Sequence, residues 1–448
     1  MHRSHLLGLP LVRFPLVTLA LLALLSLGAV SCSLFGHEEK PPAPVTLHTA
    51  TMDLTPGITI NGLVETPPGF TPIVGEPPLW LQGAKEIALA GTLQGRTEVL
   101  GFSGEGYKNV RLVAADGGPG APHGKIVGLA ASPDGLTLAV AEAEPGRVEI
   151  VLRYVISNSG QNSVASFEGN FHSASLDWLA PNTLAVGLAG EPGAPPAEAG
   201  GLYLIHVLGA VTIEQVKLTC PPSTLVFSPD ARFAVGEGDE HTPASLFDSR
   251  NGHCQEISGE GPIRVLGWAP RSAALLYSTA GRRGHGAGVY RYTIAGGKTD
   301  LIAVSSSAAA YTGAGIVMAL GNRDLNPVNA AASPDQRVTA QIASFVTNQG
   351  QTLVDTLGIP TTPAMMMAST MTYSHGFAEL ALQLYASGPA GPMREIVTFS
   401  IIDRKAFVLA SGPARGVAVI GWSPAAGHLV IFDGDGTLGA LAVVTPER

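Results

Sequence analysis

An all-β fold built from repeated antiparallel units is the class this sequence predicts, on three observations. An apolar run, a proline turn and a second apolar run recur as "LAASPDGLTLAV" (129–140), "STLVFSPDARFAV" (223–235) and "VNAAASPDQRVTA" (328–340), with looser copies at 174–188, 263–277 and 417–432. The turn prolines Pro133, Pro181, Pro229, Pro270, Pro334 and Pro424 lie 48, 48, 41, 64 and 90 residues apart. A period in the forties belongs to the four-stranded blade of a β-propeller. The 55 Gly and 34 Pro are spread along the chain, interrupting any helical pattern every 10 to 12 residues.

The bulk composition agrees. Hydrophobic residues make up 46% of the 448 and charged residues 14%, which supplies a core and excludes global disorder. The formal charge of −9 lacks the electrostatic footprint of a nucleic-acid binder.

Taken in order, residues 1–31 read as a signal peptide. Arg3 and Arg13 precede "FPLVTLALLALLSLGAV", an uninterrupted apolar run, and "AVSC" places small residues before Cys32. This stretch resembles a bacterial lipobox, which implies that Cys32 is lipidated and becomes the mature N-terminus. Residues 32–43 read as a tether holding the domain off a membrane. Ser33 follows the cysteine, where an aspartate would imply inner-membrane retention. The expected location is therefore the cell envelope, lipid-anchored, on the outer membrane facing the periplasm if the organism is Gram-negative.

Residues 44–448 read as the propeller. One unit, 126–168, shows its physics: "IVGLAA" is an apolar strand and "SPDG" supplies turn chemistry through fixed φ, local Asp bonding and a permissive Gly. "LTLAVAEA", "RVEIVLRYVI" and "NSVASFEG" follow as strands of rising polarity, inner to outer. Two relatives lack the proline, at 77–91 and 373–384, giving eight candidate blades centred near 83, 133, 181, 229, 270, 334, 376 and 424. Seven blades with a long insertion is the alternative, because of the 64-residue gap. The last blade lacks a fourth strand, and "PVTLHTATM" (44–52) is expected to supply it from the N-terminus, closing the ring.

The "SPD" turns at 132–134, 228–230 and 333–335 and "WSP" at 422–424, each beside apolar strands, resemble the WD-like repeats of the TolB propeller family. The resemblance covers the chain from about residue 77 and implies fold. The α/β domain that precedes TolB's own propeller is missing, so it implies no role.

Chemical motifs are sparse. "GFSGEG" (101–106) misses the G-x-S-x-G elbow, and the four Trp form no quinone-docking repeat. "DGDG" (433–436) would place Val444, not Glu, at the twelfth calcium-loop position. "GEGDEHTP" (236–243) reads as a solvated acidic loop, and Met365–Met367, Met371 and His375 as an adaptable strand rather than soft metal ligands. No metal or cofactor is expected. A bridge between Cys220 and Cys254 is disfavoured: they fall at opposite ends of a blade, ~17–20 Å apart for an ordinary strand. The only basic cluster, Arg282, Arg283 and His285, sits in a Gly-rich loop and is the candidate partner-binding site. The long loop at 187–201 occupies the same blade position.

The expected function is a lipid-anchored scaffold that binds or assembles proteins, without catalysis. Its partners would be the membrane, through Cys32, and a protein. The alternative is a lactonase- or lyase-like propeller enzyme with a small site in the central channel.

Overall fold

The computed structural model describes residues 58–446. Segments 74–76, 84, 118–123, 156–160, 191–199, 221–223, 229, 231, 239–242, 258–261, 280–287, 304–307, 313–314, 321–339, 342–343, 348–351, 355–357, 360–366, 375–378, 389–390, 403–404, 414–416, 424–426 and 435–438 lie outside the described residues. The described residues form eight antiparallel blade sheets and one two-stranded sheet, Ala340–Gln341 with Gly358–Ile359. In seven blades the strands follow chain order from first to fourth, and in the eighth the fourth place is taken by the N-terminal strand.

Blade 2 is the pattern: Lys125–Ala131, Thr137–Glu144, Arg147–Tyr154 and Gln161–Glu168 pair in sequence. Blade 3 follows with Phe171–Ala180, Thr183–Gly190, Gly200–His206 and Thr212–Val216. Blade 4 has the shorter strands Leu225–Phe227, Phe233–Gly236, Ser245–Asp248 and Cys254–Glu256. Blade 5 runs Ile263–Trp268, Ala274–Thr279, Gly288–Thr293 and Lys298–Ala303. Blade 7 runs Met367–Ser374, Glu379–Gly388, Gly391–Ser400 and Lys405–Pro413. In blade 1 the first strand is split: Thr71–Pro72 and Leu79–Leu81 pair with the same edge of Glu86–Leu93. Arg96–Ser103 and Asn109–Ala115 complete it.

Blade 6 departs from expectation. Its strands are Ala308–Thr312, Gly315–Leu320, Ser344–Thr347 and Thr352–Val354. The phrase around Pro334 therefore falls between its second and third strands, not in its first turn. The 64-residue gap holds an extended second-to-third connection within an eight-bladed ring. Like chemistry misled the reading here, because a Ser-Pro-Asp turn can open any hairpin.

Blade 8 pairs Val417–Trp422, Leu429–Gly434 and Gly439–Pro446, and Ile58–Thr66 supplies its fourth strand. Ile58 faces Pro446 and Thr66 faces Gly439. Closure by an N-terminal strand is as expected, but the strand lies further along the chain than 44–52, which is outside the described residues. Alternation explains the choice: Leu63 and Val64 pack into the seams while Ile60 is exposed, and "ITINGLVET" offers nine uninterrupted residues.

Apolar seams join neighbouring blades around the ring. Leu81 and Val99 meet Ile126 and Leu138; Ile150 and Leu152 meet Trp178 and Val186. Leu202 and Val216 meet Phe227 and Phe247. Val235 and Leu246 meet Leu275 and Tyr277, and Leu276 and Val289 meet Ala309. The first strands of blades 6 and 7 touch, and Ala381 and Ile396 meet Leu429 and Ile431. Val430 and Leu441 meet Ile87 and Phe102, which closes the circle. Among the described residues, no helix is long and apolar enough to cross a membrane.

Candidate functional site

The recurrent turn is a built object. Ser132 Oγ donates to Asp134 Oδ1 at 2.5 Å, Asp134 Oδ1 accepts the Leu136 N–H, and Ser132 Oγ accepts the Thr137 N–H. Ser228, Asp230, Arg232 and Phe233 repeat the set. Asp230 also accepts from Ser272 Oγ of the next blade, at 2.6 Å. The bond from Ser132 holds the Asp134 carboxyl below its ordinary range. For Asp230, burial pushes upward, but the bonds from Ser272 and Ser228 win and its carboxyl is also lowered. The serine before each proline was visible in the sequence and carries half of this geometry.

Three seams are clipped near the start of an innermost strand. Asp116 accepts the Ile126 N–H, Ser175 Oγ the Leu225 N–H, and Glu237 the Val265 N–H. All four tryptophans stand on innermost strands. Trp178 Nε1 donates to Ala130 O of the preceding blade at 3.3 Å, and Trp80 Nε1 to Trp422 O at 3.1 Å. Trp268 Nε1 is buried with no partner. Two buried carboxylates are neutralised inside blades: Glu86 by Arg111 and Glu142 by Arg153, each at 2.7 Å.

The innermost strands carry few ionisable groups. Lys125 and Arg264 are exposed near strand starts. Asp177, half-buried on the innermost strand of blade 3, accepts the Trp178 N–H; burial raises its carboxyl above the ordinary range. Sequence reading passed over it, since one Asp in an apolar run gives no pattern. Among the described residues, no group of three or more His, Cys, Asp or Glu is arranged to hold a metal ion.

Cys32, Arg282, Arg283 and His285 lie outside the described residues, as do Met365, Met366, His375 and residues 239–242. The flanking strands do set the loops: 280–287 and 191–199 each join the second and third strands of a blade, as expected. "DGDG" begins at the end of Leu429–Gly434 and leads to Gly439–Pro446, the hairpin position expected.

Cys220 and Cys254 form a disulfide, with Cα atoms 6.2 Å apart, which corrects the sequence expectation. That expectation treated blades as flat. Each strand step turns a sheet by ~20–25°, so three steps swing the outer strand towards the rim. The end of one outer strand then meets the start of the next. Thr219 N–H donates to Gly252 O, and Cys254 N–H to Thr219 Oγ1. One blade on, Thr299 Oγ1 reaches Ile257 O in the same way. Gly252 is required at this crossing: its φ is 67°, and a Cβ there would strike the Lys217 carbonyl.

No family model matches this chain, and no curated protein matches it by sequence. Solved structures are similar in fold. Sqt1 from Chaetomium thermophilum is 12% identical over 90% of this chain and 100% of its own, with a TM-score of 0.47. Oligogalacturonate lyase in complex with manganese is 11% identical over 90% of this chain and 97% of its own, with a TM-score of 0.49. The Cps50 (Swd1) β-propeller domain of Myceliophteria thermophila is 11% identical over 87% and 99%, with a TM-score of 0.41. The ring itself rests on its hydrogen-bonded sheets and closed seams: this is a β-propeller protein.

Proposed function

We propose that this chain is a lipid-anchored β-propeller of the cell envelope that serves as a protein-binding or assembly scaffold. The observation that carries this reading is how the polar side chains are used. Asp116, Asp134, Ser175, Asp230 and Glu237 bond to turns and seams of the ring itself. The result is a rigid frame whose second-to-third-strand loops hang from fixed strands, and loops on such frames recognise partners. The leader with Cys32 supports the anchor, and the Cys220–Cys254 bond fits an oxidising compartment. Crosslinking in native membranes, read by mass spectrometry, should tie one recurrent protein to 187–201 and to Arg282, Arg283 and His285. Crosslinks scattered evenly over the ring would sink the idea. Cys32→Ala should move the protein from the membrane to the soluble fraction.

A second reading, a small catalytic site in the channel, would draw on Asp177, the one acid on an innermost strand among the described residues. Were this correct, Asp177→Asn would abolish turnover of a channel substrate while leaving thermal stability intact. On the scaffold reading, the same variant leaves the crosslink pattern unchanged.

A further inference from the structure

Leu136, Tyr154, Leu208, Val211 and Ile402 are large apolar residues left exposed, Leu208 and Ile402 at 74%. Topology puts them at one end of the ring. In a four-stranded antiparallel blade, the first-to-second and third-to-fourth turns share an end, and the second-to-third loop lies at the other. Leu136 lies in the first-to-second turn of blade 2, and Tyr154 ends the third strand beside it, opposite Thr137. Leu208 and Val211 form the third-to-fourth turn of blade 3, and Ile402 lies in that of blade 7. With the outer strands swung towards the rim, the first-to-second turns occupy the face and the third-to-fourth turns its edge.

Two further observations point to what covers this end. Lys85, Lys108, Arg250 and Arg271 are exposed in turns at the same end, while Lys298, which opens a strand there, is paired with Asp300 at 2.7 Å. The acids in those turns are Asp134 and Asp230, whose carboxylates are held by serine hydroxyls and stay ionised, and the exposed Glu105, so the cations outnumber them by one. The second observation is where the chain enters. In the other blades the fourth strand is entered from a third-to-fourth turn; in blade 8 it is Ile58–Thr66, so Ile58 stands where such a turn would lead in. The chain preceding Ile58, which carries Cys32, therefore joins the ring at the end that bears the apolar turn tips. The 25 residues between Cys32 and Ile58 reach at most ~90 Å.

We propose that this end of the ring rests on the lipid surface holding the anchor. The apolar turn tips sit in the headgroup layer and the basic turn residues face anionic phosphates. The inference rests on the reading of Cys32 as lipidated. It leaves the opposite end, with the loops at 191–199 and 280–287, turned towards the aqueous phase for partners.

The test uses the full chain in vesicles of phosphatidylethanolamine and phosphatidylglycerol with brominated acyl chains. Tryptophan is introduced singly by Leu208→Trp, Ile402→Trp and Pro145→Trp, the last in the exposed second-to-third turn of blade 2 at the other end. The expected result is a loss of emission for the first two, beyond that of the parent chain, and none for the third. Quenching at position 145 alone, or at no introduced site, overturns the proposal. So does a Trp at 208 that is spared by bromine yet shielded from aqueous iodide in native membranes, because a protein then covers the tips. Mass spectrometry of Cys32 separates the two readings. An acylated chain without quenching at 208 and 402 defeats this inference alone, and an unacylated chain that stays in solution defeats both.

Discussion

Single side chains in this ring do work that can be separated by substitution. Trp178 donates its indole N–H across a seam, whereas Trp268 buries the same group without an acceptor. Trp178→Phe should cost about 1–2 kcal/mol through the stranded carbonyl and the smaller ring. Trp268→Phe loses no bond, so denaturant unfolding should show a distinctly smaller cost. Asp134 and Asp230 give the turns a pH signature. Their folded carboxyls are lowered, so their contribution is present above the unfolded value of ~3.9 and is lost as pH falls through the folded value. The melting temperature should therefore drop in acid below about pH 4. Asp134→Asn with Asp230→Asn should flatten that drop, at about 1 kcal/mol per turn near neutrality, since both sites are largely solvated. The prolines and aspartates of these turns were legible in the sequence. The bond from Ser272 to Asp230 and the tryptophan bridges were not, because each joins residues whose pairing depends on how blades face one another.

Among elements, blade 4 depends most on help from outside its own ladder, with strands of only three and four residues. The disulfide ties its outer strand to the link arriving from blade 3 across a sequence separation of 34. Chain-entropy reasoning gives such a closure about 4 kcal/mol. Cys220→Ser with Cys254→Ser should therefore speed amide exchange across 225–256 more than elsewhere, while blades 2 and 3 stay protected. Uniform loss of protection would show that the ring unfolds as one body instead. Strand content and blade number could be read from the sequence because turn chemistry is local. The bridge could not, because sheet twist accumulates over a whole blade. Blade 6 shows the converse error, where a local signal near Pro334 falls inside a connection.

At the scale of the whole molecule, closure is made by one strand, Ile58–Thr66, against Gly439–Pro446. Removing residues 58–66 would leave open the edge of Gly439–Pro446 and bare the apolar side chains that Val64 covers. Such a chain is expected to elute as aggregate in size-exclusion chromatography, whereas removal of residues before 44 should leave a monodisperse ring. The same pairing also fixes an order in time. The closing strand is among the first parts of the propeller to be synthesised and its partner among the last, so the two must wait for each other across nearly the full chain. Every intermediate length carries two unpaired edges. Pairings this distant in sequence form late and slowly, so completion of the chain acts as the checkpoint for its folding. If residues 1–31 direct export, the ring closes only after its final residues have crossed the membrane.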